Sequence, residues 1–252
     1  MPLRAVIFDL GDTLWEIQWE ERVWPIVREQ IAARLAVAGQ SAPEAQRHAE
    51  GFRQALGAVL ADSWPAGEHD QHVQEHLCAY TERTLDRMGL PGTELAWTVC
   101  EAFFEVEHAD GRAAVDDETL EMLGALKERG LLVGLVSNTF SPGHSLQMGL
   151  HRSGAARLID LPVYSSDVAC RKPGRRIYEQ CLSGLAVAPE DALFVGDRLR
   201  EDVWGPQQVG MRAALYQRFR QEVPTEQVQP ELLISSQQEL VAEVDRLLVE
   251  TR

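Results

Sequence analysis

Asp9, Ser137, Asn138, Lys172, Asp197 and Asp202 are spread over nearly the whole of a 252-residue chain, yet their types suit one task. Two or three carboxylates converging near a main-chain carbonyl make a seat for a hard divalent ion, of which Mg²⁺ is the expected one. Lys172 is followed by Pro173-Gly174 and reads as a turn lysine. Its ammonium could pair with Asp9 and with a phosphate oxygen. Ser137 and neighbouring backbone N–H groups could take the remaining oxygens.

Such convergence needs elements that deliver these residues to one place. Val6-Ile7-Phe8 is an apolar run that empties Asp9 into the Gly11-containing turn Gly11-Asp12-Thr13. A run of that length, ended by Asp and Gly, reads as a buried strand entering a loop. Leu131 to Val136 is a second such strand, ending in Ser137-Asn138-Thr139. Ala192 to Val195 is another, ending in Gly196-Asp197, with Asp202 one helical turn further on. Leu161–Tyr164, Ala213–Tyr216 and Leu232–Ile234 read as further strands. Helices are expected through Leu120–Leu126, Ile177–Leu182, Trp204–Val209 and Glu239–Val249. Repeated strand–helix units predict an α/β fold, a doubly wound parallel sheet with helices on both faces. In such a sheet all strand carboxyl ends share one edge, where ligands bind.

From about Trp15 to His108 the texture differs, with helical periodicity and almost no strand signal. Val23, Ile26, Val27, Ile31 and Leu35 recur at steps of three and four, as one face of an amphipathic helix does. Ser41-Ala42-Pro43-Glu44 reads as a helix start with a capping box. A turn at Trp64-Pro65-Ala66-Gly67 separates it from a helix through Leu77, Tyr80, Leu85 and Met88, ended by Gly89 and Pro91. Thr93 to about Glu107 makes a fourth helix. The expected organisation is therefore an α/β core of residues 1–15 and 113–252, with an all-helical insert over residues 16–112. Gly111 and Ala113-Ala114 are the expected return hinge.

The bulk properties narrow the partners. A net charge of −15, from 24 basic and 39 acidic side chains, argues against a nucleic-acid surface, which needs clustered Lys and Arg. No apolar run approaches the roughly 20 residues that span a bilayer. Cys78, Cys100, Cys170 and Cys181 form no CxxC pair and read as thiols of a reducing compartment. Met1-Pro2-Leu3-Arg4 runs straight into a strand, without the look of a signal peptide. A cytoplasmic protein acting on a small phosphorylated molecule is the expectation; oligomeric state is not readable.

Together these motifs resemble the haloacid dehalogenase superfamily, most of whose members are phosphatases. The resemblance rests on Asp9 after an apolar strand, Ser137 at the end of the second core strand, the Lys172-Pro173 turn and Gly196-Asp197-x-x-x-x-Asp202, in that order. The helical insert resembles the family's all-helical cap. The resemblance implies Asp9 as nucleophile, forming an aspartyl intermediate. It implies Mg²⁺ held by Asp9, the Gly11 carbonyl and Asp197, with Asp202 in support. It also implies Ser137 and Lys172 gripping the phosphoryl group, with Asn138 beside them.

One departure from the family pattern matters. The usual first motif is Asp-x-Asp-Gly-Thr, whose second Asp protonates the leaving alcohol and later activates water. Here that position is Gly11. Asp12 is the nearest replacement carboxylate, with a turn residue as its plain reading, and Glu16 is a second candidate. The motif therefore predicts a phosphatase confined to good leaving groups, or one slow to hydrolyse its phospho-aspartate. A metal-free 2-haloacid dehalogenase and a non-catalytic binding protein are the other readings. Asp197 and Asp202 speak against the dehalogenase, because uncompensated carboxylates repel an anionic substrate. His72-Val73-Gln74-Glu75-His76 matches the HxxEH string of inverted zinc peptidases, with His69 nearby, and reads as a polar helix face. Trp15, Trp19 and Trp24 are expected to pack the hinge and the insert, with one of them lining the substrate cleft as the other reading.

Overall fold

A computed structural model of the chain describes residues 3–17, 23–63, 73–109 and 115–250. Trp19, His69, His72, the turn at 64–67 and the hinge residues Gly111, Ala113 and Ala114 lie outside the described residues. The described chain forms two compact units. Residues 3–17, 73–74 and 115–250 make one, and residues 23–63 and 75–109 the other.

The first unit opens with β1 (Ala5–Phe8), every residue of which is buried. The second unit is helical: α1 (Trp24–Val37), α2 (Ala42–Ser63), α3 (Leu77–Arg87) and α4 (Thr93–Ala109). Local chemistry sets several of its helix ends. The Ser41 N–H and hydroxyl both donate to the Glu44 carboxylate, at 3.2 and 2.5 Å, so the Glu44 half of the expected capping box forms, while the Ser41 hydroxyl bonds that carboxylate and not the Glu44 backbone N–H. Gly89, with φ of 76°, turns the chain after α3 where an L side chain is disfavoured. Residues 73–76 are not helical, so Val73 to His76 form no polar helix face, because helix α3 starts only at Leu77. Val73 bridges Cys170, and Gln74 bonds Ala169, Ser165 and Arg171, which ties this short stretch to the α/β unit.

After α4 the chain alternates helices and strands. It runs through α5 (Asp117–Glu128), β2 (Leu132–Ser137), α6 (Gly143–Ser153), β3 (Leu161–Tyr164), α7 (Ser165–Val168) and α8 (Arg175–Leu185). Then follow β4 (Ala192–Gly196), a π-helical turn at Leu199–Trp204, α9 (Gly205–Gln208), β5 (Arg212–Tyr216), β6 (Leu232–Ile234) and α10 (Gln237–Glu250). Asp116 caps α5 by accepting from Thr119 N at 2.9 Å, where the sequence leaves the cap between Asp116 and Asp117. Helix α6 has no counterpart in the sequence reading. Its GHSLQMGLHRS stretch carries two glycines and few apolar residues, so the helical period is faint; Gly154, at φ 80°, closes it.

The six strands are all parallel, in the order β3-β2-β1-β4-β5-β6. Alternate residues of β1 feed two cores. Val6 and Phe8 join Leu123, Leu126, Leu150, Leu240 and Val244, from α5, α6 and α10. Ala5 and Ile7 join Ile177, Tyr178, Cys181 and Leu182 of α8 on the other face. A parallel sheet covered on both faces is the doubly wound α/β architecture. Trp15 packs into the first of these cores. Chain order reverses on either side of β1, and such a switch point is where open α/β sheets bind ligands. Register does the rest: Phe8 pairs with Leu135 of β2 and with Val195 of β4. Asp9, Ser137 and Asp197 therefore leave the sheet at neighbouring points of the same edge.

Candidate active site

At that edge a buried lysine joins two aspartates. Lys172 Nζ lies 2.5 Å from Asp9 Oδ1 and 2.7 Å from Asp202 Oδ1, and its side chain is only 2% exposed. Asp9 follows β1, Asp202 sits in the π-helical turn after β4, and Lys172 arrives from the loop before α8. Asn138, just past β2, fixes that loop. Its carbonyl accepts from Lys172 N at 2.8 Å and its amide donates to Lys172 O at 3.0 Å. The sequence suggests Asn138 as a phosphate ligand; its amide instead engages the lysine main chain on both sides.

The other aspartate, Asp197, is 1% exposed. Thr13 Oγ1 spans it and the nucleophile candidate, 3.3 Å from Asp9 Oδ2 and 3.5 Å from Asp197 Oδ1. Asp197 Oδ2 is buried without a hydrogen-bond donor. Arg220 Nε comes within 2.6 Å of it, but off the N–H axis, so the contact is an ion pair and not a hydrogen bond. Asp202 Oδ2 accepts from Arg198 N at 3.0 Å. A Cβ on Gly196 would meet the Asp202 carboxylate, which explains glycine at the end of β4. Ser137 ends β2, buried, with no hydrogen bond to its hydroxyl among the described residues.

The electrostatics follow from burial. Burial raises the Asp9 carboxyl to about 6, against the pull of Lys172 and with a push from Asp202. Asp197 is raised to about 8, by burial first and then by Asp9 and Asp202. Asp202 is also raised by burial, with Lys172 opposing. Burial works against the Lys172 ammonium, but Asp202 and Asp9 outweigh it and raise its pKa. Three carboxylates thus face two cations, Lys172 and Arg220, which leaves the cluster one positive charge short. Oxygens of Asp9, Asp197 and Asp202 all lie within 4.8 Å of one another. An all-oxygen donor set with an undonated Asp197 oxygen fits a hard divalent cation. Every Asp197 and Asp202 oxygen has a neighbour, but Asp197 Oδ2 is held by the Arg220 ion pair alone, whereas both Asp202 oxygens accept hydrogen bonds.

The first-motif loop is arranged differently from what an acid/base at Asp12 would need. Asp12 has φ of 57°, the left-handed turn conformation. Its Oδ1 accepts from Ile17 N at 2.9 Å and its Oδ2 lies 3.1 Å from Arg220. Both oxygens are thus held by groups other than Asp9. Glu16 is exposed. At Gly11, a Cβ would run into the Ile17 side chain, so Ile17 fills the space next to the position where the family pattern has its second Asp. Two participants were missed by the sequence reading. Thr13 offered its place one residue past Asp12 as a signal; Arg220, in the β5–β6 connection, offered none.

The family profile of haloacid dehalogenase-like hydrolases matches residues 3–210. A phosphoserine phosphatase of Thermus thermophilus is 32% identical over 149 residues, 58% of this chain and 57% of that protein. The chain thus spans little more than half the length of that relative. A glyceraldehyde 3-phosphate phosphatase of Methanopyrus kandleri is 25% identical over 83% of this chain and 82% of its own. Among solved structures, a 2-haloacid dehalogenase of Pseudomonas syringae pv. tomato superposes with a TM-score of 0.68 at 20% identity, covering 99% of this chain and 100% of its own. At that identity the likeness speaks for the fold alone. The profile match over residues 3–210, most of the chain, makes this chain a member of the haloacid dehalogenase-like hydrolase family.

Proposed function

We propose that the protein is a Mg²⁺-dependent phosphatase of small phosphorylated metabolites, with Asp9 as nucleophile. The observation that carries this reading is the buried cluster of three carboxylates against two cations, Lys172 and Arg220, an excess of negative charge that would repel an anionic substrate without a metal. The phosphatase names of the two relatives point the same way. Asp9, the Gly11 carbonyl and Asp197 are the proposed metal ligands, with Asp202 in support through Lys172. When bound, the ion offsets the repulsion between carboxylate and phosphate and stabilises charge on the transferring group.

The chain's own residues do the remaining work. Lys172 holds one Asp9 oxygen and presents its cation to the phosphoryl oxygens, with Asn138 fixing its main chain. The unpaired Ser137 hydroxyl is placed to bind a further phosphoryl oxygen. Asp9 attacks phosphorus, the Asp9 O–P bond forms as the bond to the leaving oxygen breaks, and water then cleaves the phospho-aspartate. No side chain at position 11 gives the leaving oxygen a proton, so substrates that leave as stable anions are favoured. The helical unit of residues 23–63 and 75–109 is read as the cap that would exclude water during transfer. Free thiols at all four cysteines fit the proposed cytoplasmic setting. Among the described residues no helix is long and apolar enough to cross a membrane.

The test is hydrolysis of an aryl phosphate with and without Mg²⁺. Turnover should need the metal and vanish in Asp9→Asn. Metal-independent halide release from a 2-haloacid, blocked by the same substitution, would replace this reading with the dehalogenase one.

A further inference from the structure

A second cluster of metal-ligating side chains lies in the helical unit, with chemistry unlike the first. Ligand atoms of His76, Cys78 and Cys100 all fall within 4.8 Å of one another. Cys78 stands in the first turn of α3 and Cys100 in the middle of α4, so the two thiols face each other across the α3–α4 contact. Both are buried, at 6% and 0% exposure, while His76 is at the rim. His76 is the N-cap of α3, its Nδ1 accepting from Cys78 N at a long 3.3 Å. Its ring also lies against Trp97, centroids 5.5 Å apart. The imidazole is thus held in place beside the thiols by a cap and an aromatic neighbour.

Two further observations separate this cluster from idle core thiols. A cavity of about 230 Å³ adjoins it, lined by His76, Cys78, Glu82, Thr93 and Trp97 among others. An incoming ion can therefore reach His76 and Cys78 from the cavity, with Cys100 behind them, and a fourth position has room for water. Glu82, held by Thr93 Oγ1 at 2.6 Å, adds a negative wall. By contrast, Cys170 and Cys181 sit in the apolar α8 core with no third ligand beside them among the described residues.

We propose that His76, Cys78 and Cys100 bind one thiophilic divalent ion of the zinc type, tying α3 to α4. Tetrahedral sites with metal–sulfur bonds near 2.3 Å and metal–nitrogen bonds near 2.0 Å put donors roughly 3.5–3.8 Å apart. Closing from the present spread needs shifts of about 1 Å, within side-chain rotation. Two thiolates neutralise the ion and the imidazole completes a three-ligand site, with water from the cavity fourth. Each thiol gives up its proton as its metal–sulfur bond forms, with no redox change. Sulfur ligands select zinc-type ions, whereas the carboxylate cluster selects Mg²⁺, so the two sites do not compete. This inference is independent of the proposed phosphatase activity.

The test uses the full chain, reduced and stripped of metal, titrated with Cd²⁺ or Co²⁺. We expect one equivalent to bind with thiolate-to-metal charge-transfer absorption. The band should be lost in Cys78→Ser and in Cys100→Ser, and weakened at least about tenfold in affinity in His76→Ala. It should persist in Cys170→Ser and in Asp197→Asn. Slow alkylation of the unmutated protein, followed over hours so that local opening exposes buried thiols, with and without Cd²⁺, reports which thiols the ion protects even where a serine variant fails to fold. Absence of the band in the unmutated protein, or shielding that spares Cys78 and Cys100, overturns the proposal.

Discussion

Restoring the second aspartate, Gly11→Asp, should widen the range of leaving groups. The backbone permits it, because Gly11 is not among the glycines at positive φ. The obstacle is the Ile17 side chain, whose Cδ1 occupies the place a Cβ would take. Ile17 is 42% exposed, so that terminal carbon can swing towards solvent. A displaced rotamer costs about 0.5–1.5 kcal/mol. General acid assistance is worth roughly 10²–10⁴-fold. Even its lower end, about 2.7 kcal/mol of transition-state stabilisation, exceeds that cost. The double variant Gly11→Asp/Ile17→Ala removes the collision altogether.

The assay compares kcat/KM for an alkyl and an aryl phosphate. This ratio reports the step that expels the leaving group, because phospho-aspartate hydrolysis comes later and affects only kcat. An alkyl leaving group depends on the proton far more than an aryl one, so the alkyl-to-aryl ratio should rise on the order of 100-fold. Aryl kcat should rise as well, through base assistance to the attacking water. A double variant that folds and cleaves the aryl ester, yet leaves the ratio within about threefold of the parent, would refute the assignment of the handicap to Gly11.

Three other perturbations bear on the same site. Lys172→Met strips the cation from two buried carboxylates, and urea unfolding at pH 7 should show a loss of about 3–5 kcal/mol along with lost activity. Asp197→Asn removes a proposed metal ligand, so half-maximal activation should need on the order of 10–100-fold more Mg²⁺. Asn138→Ala frees the Lys172 main chain, and kcat should fall on the order of 10–100-fold with KM little changed. A KM increase at unchanged kcat would instead restore Asn138 as a direct phosphate ligand.

The sequence by itself determined the strands and what they deliver. Short apolar runs ended by Asp9, Ser137 and Gly196-Asp197 have one stable use, as buried parallel strands, and all parallel strands end at one edge. Hence the doubly wound sheet and the gathering of Asp9, Lys172, Asp197 and Asp202 were legible before any coordinates. Helix starts were legible too, at Ser41-Glu44 and to within one residue at Asp116, because their chemistry is local. Helix α6 was not, since its glycines blur the period and burial against the sheet supplies the stability that pattern lacks.

Contacts at the site, by contrast, come from the packed fold. Asn138 faces Lys172 because a loop 34 residues later returns to β2, a long-range pairing without local signature. Arg220 reaches Asp12 and Asp197 from 208 and 23 positions away by the same kind of return. That contact, with the left-handed turn at Asp12, decides where the Asp12 carboxylate is held. The Ile17 side chain over Gly11 and the thiols of Cys78 and Cys100 across two helices are likewise products of packing. Sequence periodicity specifies which face of an element is buried, but distances between side chains on different elements exist only once those faces have met.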